Sequence, residues 1–299
     1  MVTGESPAVA RRRLRLALRK AREAKGLTQG QVAEALDWSL SKVQRIESGD
    51  VTISSSDLKA SLALFEVTDP KRVEQLLAVG RTSRRRGWWD DSRFRQHLTA
   101  ATMQLLQFES EATAIRVYNP SLLPGLIQIP SYAETIFDYW RGEEMSEEDK
   151  AVRLEVRMRR RDFVLDRPDP PDYLLILDES VLHRVVGGPR VMVDQLSELL
   201  SLMKRRKITT RIVPFARGAP LAMLNHFIVL DLGDEENAIL YREAQLADVI
   251  EQAPDVIRLY RRRFEQLWEA ALSEAATARL IEKTMAEILT NLDQDQIDG

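Results

Sequence analysis

Apolar side chains recur on one helical face at Leu14, Leu18 and Ala21, and this spacing predicts a helix over residues 11–24. Gly26 reads as its C-cap. The pattern restarts at Thr28, which stands three residues before Gln31 in a Thr-x-x-Gln capping box. Val32, Ala33 and Leu36 form the buried stripe of this second helix. Ser39 caps a third, in which Val43 and Ile46 are apolar and Gly49 is the stop. Two short helices joined by a turn of about three residues make the helix-turn-helix plan.

Beyond residue 80 the pattern changes twice. Gly80–Phe94 mixes Gly, Ser, Thr and clustered Arg and reads as a linker, with Trp88-Trp89 starting the next domain. A helical stretch carries Leu98, Met103, Leu106 and Phe108. Ala112–Ile136 then reads as an apolar loop punctuated by Asn119-Pro120, Pro124-Gly125 and Pro130. A helix to about Trp140, an acidic patch over Glu143–Asp149 and a basic helix with Arg153, Arg157, Arg159, Arg160 and Arg161 follow. After a proline-rich hinge, Tyr173–Glu179, Ile208–Phe215, His226–Leu232 and Asn237–Glu243 read as strands, rich in β-branched and aromatic residues. A helix over 189–205 separates the first two, so a small α/β sheet is expected. Pro254–Leu289 is helical again, with two apolar stripes.

The predicted class is α+β, mostly α. Residues 1–80 are expected to form a helical domain on the helix-turn-helix plan and 81–93 a linker. Residues 94–290 form a helical regulatory and dimerisation domain with a sheet of about four strands and a long C-terminal helical segment. Residues 291–299 are a disordered tail.

Charge sharpens this division. Residues 1–86 hold 17 basic and 10 acidic side chains, a net +7, and the remainder holds 26 and 36, a net −10. A basic head on an acidic body suggests a polyanion partner for the head. No cysteine is present, which excludes disulfides and thiolate zinc sites. No apolar run approaches the roughly 20 residues that span a bilayer. The expected location is the cytoplasm, at the nucleoid.

The face of the third helix that remains exposed carries Leu40, Ser41, Lys42, Gln44 and Arg45, with no acidic residue before Glu47. Donors near a helix start are what a major groove requires: Arg spans guanine O6 and N7, Gln pairs with adenine, and Ser or Lys holds phosphate. Thr28-Gln29, Val32-Ala33, Leu36, Ser39, Val43, Arg45-Ile46-Glu47 and Gly49 resemble the lambda-repressor-like (XRE-type) helix-turn-helix family, over about residues 10–80. The resemblance implies a five-helix DNA-binding domain over residues 1–80: Ser54–Leu64 looks like its fourth helix, with a serine cap and Asp57 in its first turn, and Val67-Thr68-Asp69-Pro70 resembles the entry to a fifth, with Pro70 at the first helical position. The resemblance implies that Gln29 anchors a phosphate. It also implies that Leu40, Ser41, Gln44 and Arg45 face base edges beside the Ser39 cap, and that Lys42 holds phosphate. Against these stand bland roles: a solvated Ser41, a packed Leu40, an Arg45 paired with Glu47 or Glu34. The family usually has Gly where this chain has Asp37, a position of positive φ that aspartate tolerates. Trp38 is expected to lie half-buried as a lid, or else to sit near phosphate.

The second half also resembles a known family. "YNPSLLPGLIQIPSYA", "LDESVLHRVVGGPRVMVDQLSELL", "IVPFARG" and "YRE" are similar to the C-terminal domain of unknown function in actinobacterial helix-turn-helix regulators of the Scr-like or WhiJ-like, antitoxin-like kind. That resemblance implies a regulator encoded beside a small partner protein. The apolar loop at Leu122, Leu123, Leu126 and Ile127 is then the expected partner-binding surface, since large apolar patches mark interaction sites. The expected partners are double-stranded DNA with an inverted repeat, a second copy of the chain and a small companion protein. Two other readings remain open: a regulator with a small-molecule pocket in its body, and an enzyme with a DNA-targeting head.

The chemical inventory is thin. His97, His183 and His226 are far apart, and no metal-ligand spacing or phosphate loop is present. His183 can reach Asp178 or Glu179, as a structural pair or as part of a dispersed site. Gly187-Gly188-Pro189 reads as a helix entry or a phosphate cradle. No cofactor, metal or catalytic residue is expected. The arginines of the 153–161 helix either bind a polyanion or pair with the body's excess acid. Arg84–Arg86 either touch flanking DNA or are solvated.

Overall fold

The computed structural model describes residues 7–49, 51–84, 87–139, 145–217, 224–233, 238–243 and 248–297. The chain divides into two compact units, Met1–Asp91 and Ser92–Gly299.

Among the described residues the first unit holds five α-helices: α1 (Pro7–Ala24), α2 (Gln29–Ala35), α3 (Leu40–Ser48), α4 (Ser55–Leu64) and α5 (Pro70–Ser83). The starts of α2 to α5 are those the sequence marks, whereas α1 begins at Pro7, ahead of the predicted residue 11. Thr28 and Gln31 close the reciprocal capping box, Ser39 accepts from the Lys42 N–H, and Ser54 accepts from that of Asp57. Asp69 caps α5, with Pro70 in its first turn. The predicted stripe residues Leu14, Leu18, Val32, Ala33, Val43 and Ile46 converge in one core, which Leu58, Leu62, Leu76 and Val79 of α4 and α5 complete. Asp37 has φ 54°, the left-handed turn conformation expected of it. The linker is shorter than expected. Gly80–Ser83 continues α5 because Gly80 and Ser83 are themselves buried there. Gly80 is required by packing: a Cβ would lie 2.6 Å from Leu58 Cδ2.

The second unit begins with α6 (Ser92–Arg95) and α7 (Ala100–Glu109). Strand β1 (Ala114–Asn119) precedes α8 (Pro130–Tyr139) and α9 (Glu147–Leu165). Then come β2 (Asp172–Asp178), α10 (Ser180–His183), α11 (Gly188–Lys204) and β3 (Thr209–Val213). Strands β4 (Phe227–Asp231), β5 (Ala238–Arg242) and β6 (Val249–Glu251) lead into α12 (Pro254–Ala270) and α13 (Glu274–Ile297). One six-stranded sheet runs in the order β3-β2-β1-β4-β5-β6. Strands β1, β2 and β3 are parallel, whereas β4, β5 and β6 add antiparallel.

The four predicted strands are β2 to β5. Two more exist among the described residues, and one of them, β1, is central. It lies inside the stretch read as a loop. Its six residues become a strand because β2 and β4 supply ladder partners on both sides, and Pro120 ends it. Both faces of the sheet are buried. Tyr118, Ile176, Phe227, Val229 and Leu240 share a core with Ile257, Phe264 and Leu267 of α12. The alternate positions Val117, Leu175, Leu177, Leu230 and Ile239 are buried as completely. Such double burial explains the unbroken apolar runs "YLLIL" and "FIVL". The tail expected from residue 291 is helical as far as Ile297, as the end of α13. Among the described residues no helix is long and apolar enough to cross a membrane.

Candidate nucleic-acid interface

In α3, Val43 and Ile46 point into the core, and helical periodicity then turns Leu40, Ser41, Gln44 and Arg45 outward. All four are exposed, Leu40 at 46%. Arg45 makes no ion pair with Glu47 or Glu34. Ser39 is spent on the helix cap, where its hydroxyl accepts from the Lys42 N–H at 3.1 Å. Lys42 is more engaged than a free phosphate contact: its Nζ lies 3.1 Å from Asp57 Oδ1 and 4.0 Å from the Trp38 ring centroid. Trp38 is half-buried against the core, as the lid reading requires.

Glu47 has another partner. Arg22, in the last turn of α1, donates to Glu47 from Nε at 2.6 Å and from Nη2 at 3.0 Å, and from Nη1 to the Leu27 carbonyl at 2.7 Å. Gln29 Nε2 donates to the same carboxylate at 2.8 Å. The side chains of Arg22 and Glu47 are only 10% and 9% exposed. Glu47 raises the Arg22 guanidinium above its ordinary value, chiefly through this hydrogen bond. The clamp ties α1, the start of α2 and the end of α3 together, which fixes the angle at which α3 is presented. Gln29 thus belongs to the scaffold through one amide hydrogen and retains the other. Sequence reasoning missed Arg22 and Asp57. The available signal was the lone acid Glu47 at the end of a donor-rich helix, within reach of a basic C-terminal turn. Arg84, read as a possible DNA contact, donates to the Ile53 carbonyl and to Ser55 Oγ, and Arg15 donates to the Ser48 carbonyl. Arg85 and Arg86 lie outside the described residues.

In the body, the expected partner surface is corrected. Leu123 and Leu126 are 1% exposed and Ile127 is 0%, and only Leu122 remains partly exposed. The loop packs inward because its backbone is satisfied there. Tyr132 Oη accepts from the Leu123 N–H, and Gln128 Nε2 donates to the Leu123 carbonyl. Gln195 of α11 accepts from the Ile129 N–H and donates to the Ile127 carbonyl. Buried polar groups with partners on both sides make such a segment part of the core.

Two of the five arginines of α9 turn to internal acids, and Arg153 and Arg157 donate to the neutral His97 carbonyl and Gln128 Oε1. Arg160 forks onto the buried Glu109, and Arg161 pairs with Glu198. The acids Glu147, Glu148 and Asp149 occupy the first turn of α9, where the dipole favours them. The three histidines stay apart. His97 Nδ1 lies 2.8 Å from Asp149, His183 Nε2 3.8 Å from Glu179, and His226 Nδ1 3.6 Å from Glu243. Among the described residues no group of three His, Asp or Glu side chains is placed to hold a metal ion. Gly187, at φ 73°, caps the entry to α11.

Two comparisons bear on identity. Residues 13–76 match the helix-turn-helix domain, which supports a DNA-binding regulator. Residues 102–283 match a domain of unknown function (DUF5753). No curated protein and no solved structure matches the chain. The second match spans more than half of the chain, which therefore belongs to the family of the domain of unknown function DUF5753, with a helix-turn-helix domain ahead of it.

Proposed function

We propose that the protein is a sequence-specific transcriptional regulator that reads double-stranded DNA with α3. The observation that carries this is the exposed, acid-free face of Leu40, Ser41, Gln44 and Arg45 on a helix held by the Arg22–Glu47 clamp. Arg45 and Gln44 read base edges, Leu40 and Ser41 flank them, and Lys42 and Gln29 set register on the phosphates. Replacing Arg45 with Ala then costs about 1–3 kcal/mol on the specific site and little on unrelated DNA. Titration of both DNAs by fluorescence anisotropy separates the cases, since an equal loss on both makes Arg45 a phosphate clamp.

One helix reads only a few base pairs. The reading is therefore a homodimer on an inverted repeat with half-sites about 10 base pairs apart. Light scattering and footprinting test this together: a monomer protecting a single half-site overturns it. The body acts as a binding module and not as an enzyme. The resemblance to actinobacterial antitoxin-like regulators supports control by a small companion protein, in the cytoplasm at the nucleoid. That partner docks elsewhere than on Leu122–Ile127, whose apolar side chains are already mostly buried. Co-purification of the intact chain with the product of the neighbouring reading frame tests the partner.

A further inference from the structure

Arg153, Arg157 and Arg160 recur at i, i+4 and i+7 on α9 and line one cavity of about 130 Å³. Its other walls include Thr99, Thr102 and Phe137. The three cations are not equally satisfied. Arg160 is neutralised by Glu109. Arg153 donates from Nε to the His97 carbonyl at 3.2 Å, a neutral acceptor. Arg157 has no carboxylate within ion-pair distance among the described residues. Its Nη1 donates to Gln128 Oε1 at 2.6 Å, and its guanidinium lies 4.3 Å from the Phe137 ring centroid. Burial, with Arg160 and Arg153 nearby, holds Arg157 down to about 10, and Glu243 opposes this through space.

The surroundings fix that side chain in place. Gly125 lets it pass, for a Cβ there would lie 3.3 Å from Arg157 Nε. Gln128 is itself oriented by its bond to the Leu123 carbonyl. A guanidinium held in place by a neutral acceptor, with no carboxylate in ion-pair contact among the described residues, is the reverse of the economy seen at Arg160. Arg157 is only partly exposed, and withdrawing a charge from water even in part without a paired opposite charge is costly. Thr99 caps α7, its hydroxyl accepting from the Thr102 N–H at 3.1 Å and lying 2.8 Å from the Thr102 hydroxyl, and the dipole of this helix start also favours negative charge.

We propose that this cavity binds a compact oxyanion, the phosphate or carboxylate group of a small molecule, on Arg157 and Arg153 with the Thr102 hydroxyl beside them. The planar guanidinium suits such a group because it donates two parallel N–H bonds. The volume sets the size. It exceeds the roughly 10–15 Å³ that one water needs, and it falls below the roughly 300 Å³ at which pockets for drug-sized ligands begin. The site lies wholly within the second unit, so it stands or falls independently of the DNA-reading proposal.

The test is calorimetric titration of the full chain with inorganic phosphate and with citrate, at ionic strength held constant with chloride. Saturable binding is expected, weakened at least tenfold in Arg157→Gln, whose melting temperature without anion is unchanged or higher. Binding equal in wild type and variant, or no heat beyond the chloride control, overturns the proposal. Phosphate titration of the wild-type arginine Nε–H NMR signals covers the case in which the variant fails to fold. A shifted Arg157 signal supports the site, and unmoved Arg153 and Arg157 signals refute it.

Discussion

Glu47→Ala removes the acceptor of three hydrogen bonds, two from Arg22 and one from Gln29. Both ionic side chains are about nine-tenths buried, so the loss is not that of a surface pair. Arg22 keeps only the Leu27 carbonyl, a neutral acceptor. Breaking a buried pair by deleting one partner costs about 3–5 kcal/mol, because the remaining charge stays desolvated. Residual solvent access favours the lower end. A loss of about 3 kcal/mol is about a 150-fold change in an opening equilibrium, at 1.4 kcal/mol per decade. The assay is native-state hydrogen exchange of the intact chain, read at the amides of Val32, Val43 and Ile46, which lie in the clamped helices. Exchange there is expected to accelerate about 100-fold. The double variant Arg22→Met with Glu47→Leu should recover most of the protection, since apolar replacement of a buried pair is often neutral. Acceleration of less than about fivefold is what an exposed pair would give, and it would refute the clamp.

The remaining predictions concern other parts of the chain. Asp37, at φ 54°, should tolerate Gly, whereas a branched side chain there costs about 1–2 kcal/mol; urea denaturation of Asp37→Gly and Asp37→Val decides, and equal stability removes the argument. Leu123→Ala empties a site 1% exposed and should cost about 2–5 kcal/mol, while a neutral result would return the loop to the surface. Asp149 accepts from Ser146 and from His97, which hold its carboxyl down to about 2 from the ordinary 3.8. A depressed carboxyl contributes stability above its unfolded value and loses it as pH falls through the folded value. Melting temperatures of wild type should therefore fall towards those of Asp149→Asn between pH 4 and pH 2, and a constant gap over that window would contradict the assignment. Ser146→Ala opens the same capping box and should cost about 1 kcal/mol.

Local rules made the first unit legible. Thr28, Ser39, Ser54 and Asp69 cap helices from their own side chains, and Asp37 takes a turn conformation that depends on little beyond itself. Strands β2 to β5 were legible as well, because a strand buried on both faces is a continuous apolar run. What the sequence did not disclose was decided by partners distant along the chain. Strand β1 exists because β2 and β4 flank it, and Leu123, Leu126 and Ile127 are core because Gln195, 66 residues away from Ile129, satisfies the backbone of their loop. Arg22 meets Glu47 across 25 residues. Among the arginines of α9, composition shows only a cluster; the fold gives Arg160 a carboxylate and Arg157 a cavity. Caps, stripes and turns are settled within one helical turn and can be read from neighbouring residues. Whether a polar or apolar group is buried, and against what, depends on which segments meet, and only the tertiary structure decides that.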